Sequence, residues 1–459
     1  MLRLYDTAAA EVRPLALRDP GRVSMYVCGP TVYDVPHIGH GRFVLVFDVL
    51  RRYLEFLGLE VRYVSNITDI DDKIIARAND EGRPMADVAA QYEAVWWEAV
   101  DALGVRRPTE APHATAYVPQ MVALVEGLEA AGAAYETSDG VYLSVGVVPD
   151  YGLLKHQSLD SLRAGARVEP GEEKRSPLDF ALWKKAKPDE PSWPSPWGNG
   201  RPGWHTECVV MSLDLLGDGF DLHGGGIDLV FPHHENERAQ AVALGRRFAA
   251  HWAHNGFVEV EGEKMSKSLG NFTSLSDLLE RTDGRAYRLL VLRSHYRSPI
   301  EVTPRTVGDA EEALARLDAM ARRFALAPAG PVVSAEARAG GVDAEALDRF
   351  LAHMDDDLDT PKALAEVFDL VRRANATADA GDGAAAVALA RSAQVLAGVL
   401  GLVVAAGDEE PDPDSAALVA RRDAARAGRE WALADQLRDQ LTARGWVVED
   451  GPEGTRLHR

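Results

Sequence analysis

The sequence predicts an α/β protein: a Rossmann-type parallel sheet that carries an insertion, followed by an all-α helical bundle and a small C-terminal domain. Three observations lead there. A strand-like run at 23–28 (VSMYVC), a helical pattern over 40–57 and a second strand-like run over 60–67 make the strand–turn–helix–strand unit that opens a parallel sheet. A similar alternation resumes after residue 204. Beyond Thr303 the pattern is helical almost throughout, which excludes a purely α/β chain.

Taken in order, the helix over 40–57 is marked by Phe43, Val44, Phe47, Leu50, Leu54 and Leu57. Helical patterns follow at 84–103 and 116–131, and 135–145 reads as one strand. A stretch rich in proline, glycine and tryptophan then runs to Trp204 and is expected to break regular structure, so 116–200 is read as an insertion between two halves of one sheet. The second half comprises GWHTECVVMSLDLLG, FDLHGGG, a helix opening near His233, and a strand over 252–260. The loop GEKMSKSLGN and helices from about 274 and from about 284 to 296 complete it. Helices are then expected over 304–326, 345–358, 361–378 and 383–402, with linkers at 326–343 and 404–415. Two helices (415–427, 429–444) and an extended pair (446–457) end the chain.

At 459 residues the chain is long enough for about three folding units. No apolar run approaches the ~18 residues of a membrane helix, and the first residues, MLRLYDTAAAEVRP, lack the apolar core of a signal peptide. With only Cys28 and Cys208, a disulfide framework is excluded and both thiols are free for other chemistry in a reducing compartment, so the expected location is cytoplasmic, with no membrane partner. The formal charge of −21 argues by itself against a nucleic-acid partner, although a local basic face can coexist with it.

Chemistry concentrates at three places. His37-Ile38-Gly39-His40 opens the first helix, where unpaired N–H groups and a partial positive charge suit a triphosphate, and where Gly39 leaves room for a nucleotide against the backbone. Lys264-Met265-Ser266-Lys267-Ser268 lies between Gly262 and Gly270, a segment able to bring ammonium groups onto phosphates. In HHENE, His233 and Glu237 are four apart and share a helix face, whereas His234 and Glu235 are expected to point elsewhere. Together with the two cysteines they make a four-donor set suited to tetrahedral zinc, with His205, His223 and His234 as further candidates around the same pocket. Cys28 ends the first strand, the edge where open parallel sheets bind ligands, and zinc there would select a thiolate over a hydroxyl.

HIGH and KMSKS in this order on an α/β pattern mark the class I aminoacyl-tRNA synthetases. More closely, YVCGPTVYDVPHIGHGR, NITDIDDKI, PSWPSPWGNGRPGWHTEC, FDLHGGGIDLVFPHHENERAQ, KMSKSLGN and REWALADQLRDQLTARGWVVEDGPEGT resemble the cysteinyl-tRNA synthetases over nearly the whole chain. The resemblance implies activation of L-cysteine with ATP to cysteinyl-adenylate, then transfer to the 3′-terminal adenosine of tRNA-Cys. It places one zinc ion per chain on Cys28, Cys208, His233 and Glu237, and ATP with Mg2+ on His37, Ile38, Gly39, His40, Lys264, Met265, Ser266, Lys267 and Ser268. Of these, His37, His40, Lys264 and Lys267 carry catalysis, and Thr68, Trp204 and Asp228 line the cysteine pocket.

It further implies a catalytic domain over 1–260, a KMSKS loop with connecting helices over 261–303, a tRNA-binding bundle over 304–403 and an anticodon-recognition domain over 415–459. Arg421, Arg422, Arg426, Arg429, Arg438 and Arg444 of that last domain are candidate tRNA contacts. Two rivals are weighed: a ligase of this fold that passes cysteine to an amino sugar, which the C-terminal extension disfavours, and a binding-only paralogue, which the intact motifs disfavour.

Overall fold

Strand β1 (Arg22–Val27) stands at the centre of a four-stranded parallel sheet, and five of its six residues are buried, as a strand covered on both faces requires. It pairs with β2 (Glu60–Val64) on one side and with β3 (Leu222–Gly226) on the other, with β4 (His251–Asn255) outside β3. Met25 is in register with both Tyr63 and Leu222. The chain therefore leaves β1 toward one side through helix α1 (Ile38–Phe56) and later returns on the other. In open parallel sheets that reversal of strand order opens a crevice at the carboxyl ends of the strands, where ligands bind.

The computed structural model describes residues 1–164, 173–188, 190–260, 263–264, 273–404, 412–444, 446–451 and 454–458. They form two compact units, one of Met1–Met320 with Ala329–Val404, the other of Ala321–Pro328 with the described residues beyond Val404. In the larger unit α1 is buried along most of its length and holds a buried charge network. Asp48 accepts from Arg288 (2.6 Å) and Arg52 (2.7 Å), and Arg288 also donates to the carbonyls of Leu103 (3.1 Å) and Gly104 (3.0 Å). Removing one partner of so buried a pair costs about 3–5 kcal/mol, so the network fixes helix Gly284–Leu292 against α1.

Two expectations for the insertion are corrected. Residues 135–145 form a hairpin, Ala134–Glu136 with Gly140–Leu143, and the proline- and glycine-rich stretch supplies strands Phe180–Lys185 and Gly200–Pro202 of the same antiparallel sheet. Two of its glycines do not break structure: a Cβ at Gly200 or Gly203 would lie 2.3 Å from Lys184 O or 1.9 Å from Ala181 O, so they are places where strands approach closely.

The expected strand 252–260 divides into β4 and Val258–Val260, which lies parallel to Ile300–Glu301 and antiparallel to Glu263–Lys264. The expected linker 326–343 carries a short helix, Ser334–Ala339. Helices Pro304–Arg323, Ala344–Asp355, Thr360–Asp379 and Gly383–Val399 follow the helical reading. Beyond Val404 lie helices Pro413–Ala427 and Trp431–Ala443 and a hairpin, Val447–Gly451 with Gly454–His458, around Leu418, Leu437, Leu441, Trp446 and Val448. No helix of the described residues is long and apolar enough to cross a membrane.

Candidate functional site

Cys28 directly follows β1, and its N–H donates to Gly224 O (3.2 Å), tying the end of β1 to β3. Cys208 lies on helix α2 (Trp204–Leu216), one turn beyond Trp204 and on the same face. His233 belongs to the turn Val230–His234, which contains the cis Phe231–Pro232 bond, and Glu237 lies one turn later on helix α3 (Glu235–Ala243). These elements bring four donor atoms within 4.8 Å of one another. Cys28 Sγ lies 3.6 Å from Cys208 Sγ and 3.4 Å from Glu237 Oε1, and His233 Nε2 lies 2.8 Å from Glu237 Oε1 and 3.8 Å from Cys208 Sγ. All four side chains are buried.

The surrounding groups set the charge of this cluster. Hydrogen bonding from Cys28 outweighs burial and pushes the Cys208 thiol down to about 6, while burial pushes Cys28 well up, so the pair holds one thiolate. Against burial, His223 and His233 keep Glu237 far below the usual carboxylate range, and Glu237 and Cys208 in turn lift His233 to about 10. Two sulfurs, one nitrogen and one oxygen fit zinc, whose binding would displace the His233 proton.

One directional expectation fails. His234 does not turn away: its Nε2 lies 3.3 Å from Cys28 Sγ, and a second donor group of Cys28, His223, His234 and Glu237 also lies within 4.8 Å. The reason is helix spacing itself: His234 has helical backbone and lies three residues before Glu237, and residues three apart share a helix face as residues four apart do, so both histidines reach the same cluster. His223 Nε2 holds the other oxygen of Glu237 (2.5 Å), and His234 Nδ1 is held by His254 Nε2 (2.8 Å), while His254 Nδ1 bonds the Thr7 hydroxyl (2.7 Å). Both histidines therefore orient donors already in the four-residue set, as outer partners of metal ligands do. Glu235 does point elsewhere, accepting from Leu154 N (2.8 Å) and pairing with Arg238 (3.2 Å).

Of the expected pocket residues, Trp204 stacks on His233 with ring centres 4.1 Å apart and is partly exposed. Thr68 is buried, and its hydroxyl donates to Glu207 (2.9 Å) and accepts from Asn66 (3.0 Å). Asp228 is exposed in the turn Ile227–Leu229 after β3. Asn66 and Glu207 escaped the sequence reading, although both lie inside quoted motifs, NIT and WHTEC. Asn66 Oδ1 also accepts from Gly29 N (2.9 Å), and at Gly29 a Cβ would sit 1.7 Å from Asn66 O.

At the other end of this stretch His37 caps α1, and a reciprocal pair of bonds closes the turn: His40 N donates to His37 Nδ1 (3.3 Å), and His37 N to His40 Nδ1 (3.1 Å). Both rings thus carry their proton on Nε2. Desolvation, then the charges of His37 and Lys73, push His40 well below the ordinary histidine range and keep it neutral. Ile38 N donates to Thr273 O (3.2 Å), so two first-turn N–H groups have partners within the protein, and the imidazoles are the groups suited to meet phosphate.

Lys264 is described as the end of a strand; Met265, Ser266, Lys267 and Ser268 lie outside the described residues. In the smaller unit the arginines divide. Arg422 is buried and bonded to Asp450 (2.6 Å) and to Thr455, Arg426 also pairs with Asp450 (2.5 Å), and Arg438 donates to Val448 O (3.2 Å). Arg422 is therefore the buried half of an ion pair with Asp450, which corrects its reading as an RNA contact, whereas Arg421 and Arg429 are exposed.

Comparison with known proteins gives three family matches: residues 15–312 match the class I (C) tRNA synthetase catalytic domain, 349–405 the DALR domain, and 408–457 the cysteinyl-tRNA ligase anticodon binding domain. A cysteine–tRNA ligase of Alkalilimnicola ehrlichii is 47% identical over 472 residues, covering 100% of both chains. One from Halorhodospira halophila is 46% identical, with the same full coverage of both. Among solved structures, Mycobacterium tuberculosis methionyl-tRNA synthetase with methionyl-adenylate superposes with a TM-score of 0.60 at 16% identity, covering 83% of this chain and 90% of that one. That likeness concerns the fold.

Proposed function

Because the chain belongs to the cysteinyl-tRNA synthetase family, within the class I aminoacyl-tRNA synthetases, we propose that Cys28, Cys208, His233 and Glu237 hold zinc and that the His37–His40 turn receives ATP. Its activity is that of a cysteine–tRNA ligase. The observation that carries the reading of the site is the convergence of four buried donors from separate stretches at the carboxyl end of β1. Bound there, zinc supplies a soft Lewis acid that distinguishes the thiol of cysteine from the hydroxyl of serine.

The residues of the chain then position two substrates. Trp204 covers the cluster and, with Asp228, borders the amino-acid pocket, while Thr68 braces its wall through Glu207. The cysteine carboxylate oxygen attacks the α-phosphorus of ATP, the new P–O bond forms as the bond to pyrophosphate breaks, and Mg2+ accompanies the nucleotide. His37 and His40 donate to the α-phosphoryl oxygens, Lys264 and Lys267 hold the pyrophosphate, and Ile38, Gly39, Met265, Ser266 and Ser268 complete the ATP site. The terminal ribose hydroxyl of tRNA-Cys then attacks the activated carbonyl and AMP leaves. The bundle over 304–403 and the domain over 415–459 engage the tRNA, with Arg421 and Arg429 available to its phosphates. The compartment is the cytoplasm, which keeps both thiols reduced.

The test is cysteine-dependent ATP–pyrophosphate exchange followed by charging of purified tRNA-Cys or of an amino-sugar acceptor. Exchange with tRNA charging is expected. Exchange with transfer only to the sugar, or no exchange, overturns the reading.

A further inference from the structure

Arg42, two residues beyond His40 on α1, is fully buried, and among the described residues its hydrogen-bond partners are backbone carbonyls. Its Nη1 donates to Phe257 O (2.5 Å), and its Nη2 lies 3.0 Å from Tyr296 O, 3.5 Å from His295 O and in hydrogen-bond contact with Ser298 O. A guanidinium paired with a carboxylate fixes another side chain; one satisfied by carbonyls fixes the path of the backbone. Here the backbone belongs to two neighbouring segments. Phe257 precedes strand Val258–Val260, which leads into Lys264 through its pairing with Glu263–Lys264, and the segment 295–298 precedes Ile300–Glu301, which pairs with the same strand.

The carbonyl of Phe257 also accepts from Ile300 N (3.0 Å), and that of Tyr296 from Gly256 N (2.9 Å), so Arg42 adds a second donor to the two bonds that join these segments. Further along, residues 273–275 are fastened to the histidine turn by two backbone bonds, Ile38 N to Thr273 O (3.2 Å) and Leu275 N to Pro36 O (2.8 Å). The strand that brings in Lys264 and the segment that follows the motif are therefore both tied to the start of α1, the first through the side chain of one residue.

We propose that Arg42 is a positioning residue for ATP: it sets the strand carrying Lys264 at a fixed place relative to the His37–His40 turn, so that the two halves of the nucleotide site meet the same triphosphate. It touches no substrate and has no part in the Cys28–Glu237 cluster. The inference rests on the reading of His37–His40 and Lys264 as the ATP site.

The experiment measures ATP–pyrophosphate exchange in the zinc-loaded full-length wild type, Arg42→Gln and Arg42→Lys, varying ATP and cysteine separately. Arg42→Gln is expected to raise KM for ATP about tenfold and to lower kcat, with KM for cysteine and zinc content unchanged. Arg42→Lys, able to reach fewer carbonyls at once, should fall between. A merely structural role would lower the melting temperature and the active fraction while leaving both KM values alone; that result overturns the proposal, as does an equal rise in both. If Arg42→Gln does not fold, the same split in Arg42→Lys decides. A wild type without cysteine-dependent exchange refutes the functional reading itself, whereas wild-type exchange with no split in the variants refutes this inference alone.

Discussion

Cys28 and His37 are nine residues apart, yet the centres they belong to are built in opposite ways. The cysteine centre takes side-chain atoms from separate stretches of the chain and buries all of them, so each donor is irreplaceable. The histidine turn is contiguous and half-buried, and its side chains partly hold its own backbone. With zinc bound as proposed, the first centre would be a matter of presence or absence of a cation, while the second would be adjusted by orientation. The two should therefore respond differently to damage.

The largest effect is expected at the first centre. Cys208→Ser removes the thiol of lowest pKa, and zinc content measured by elemental analysis should fall to near nothing, with preference for cysteine over serine in exchange reduced by roughly a hundredfold or more. Full zinc occupancy in that variant would dissolve the contrast. A smaller loss is expected at the turn: His40→Ala should lower kcat for exchange about a hundredfold, the usual loss for one transition-state donor, with zinc retained. Loss of zinc there would mean that the two centres are one structural unit.

The smallest effect concerns pH. Burial pushes His254 down to about 3, so the folded protein keeps it neutral while the unfolded chain takes up a proton below about 6.5. Its contribution to stability is intact above about pH 6.5. It is lost at about 1.4 kcal/mol per pH unit as pH falls toward 3. Urea unfolding between pH 6.5 and 5 should thus show a shallower decline in His254→Asn, by about one proton. An identical slope would mean that folded His254 protonates freely.

How much of this was legible depends on where the information lies along the chain. The parallel strands and long helices were readable because their apolar periodicity is local, and Cys28 and Cys208 stood out as the only thiols. His233 and Glu237 were readable because four-residue spacing survives from the turn into α3. His234 was misread because its three-residue spacing from Glu237 shares the helix face as the four-residue spacing does, and His254 went unnoticed because its partners, Thr7 and His234, are distant in sequence. Glycine misled in the stretch before Trp204, where Gly200 and Gly203 admit a neighbouring strand instead of ending one. Arg422 looked like its exposed neighbours until Asp450 and Thr455, on the hairpin, closed around it.

The backbone carbonyl of Asn66 that crowds Gly29 has a consequence for genetics. Every missense change at that codon adds a Cβ next to an atom that no side-chain substitution can remove. Second-site suppressors of a position-29 allele should not arise among neighbouring side chains, because only a shift of the segment after β2, with Asn66 and Thr68 on it, makes room. Such alleles would behave as complete loss of function, unlike alleles of the exposed Asp228, which the rest of the protein can partly accommodate.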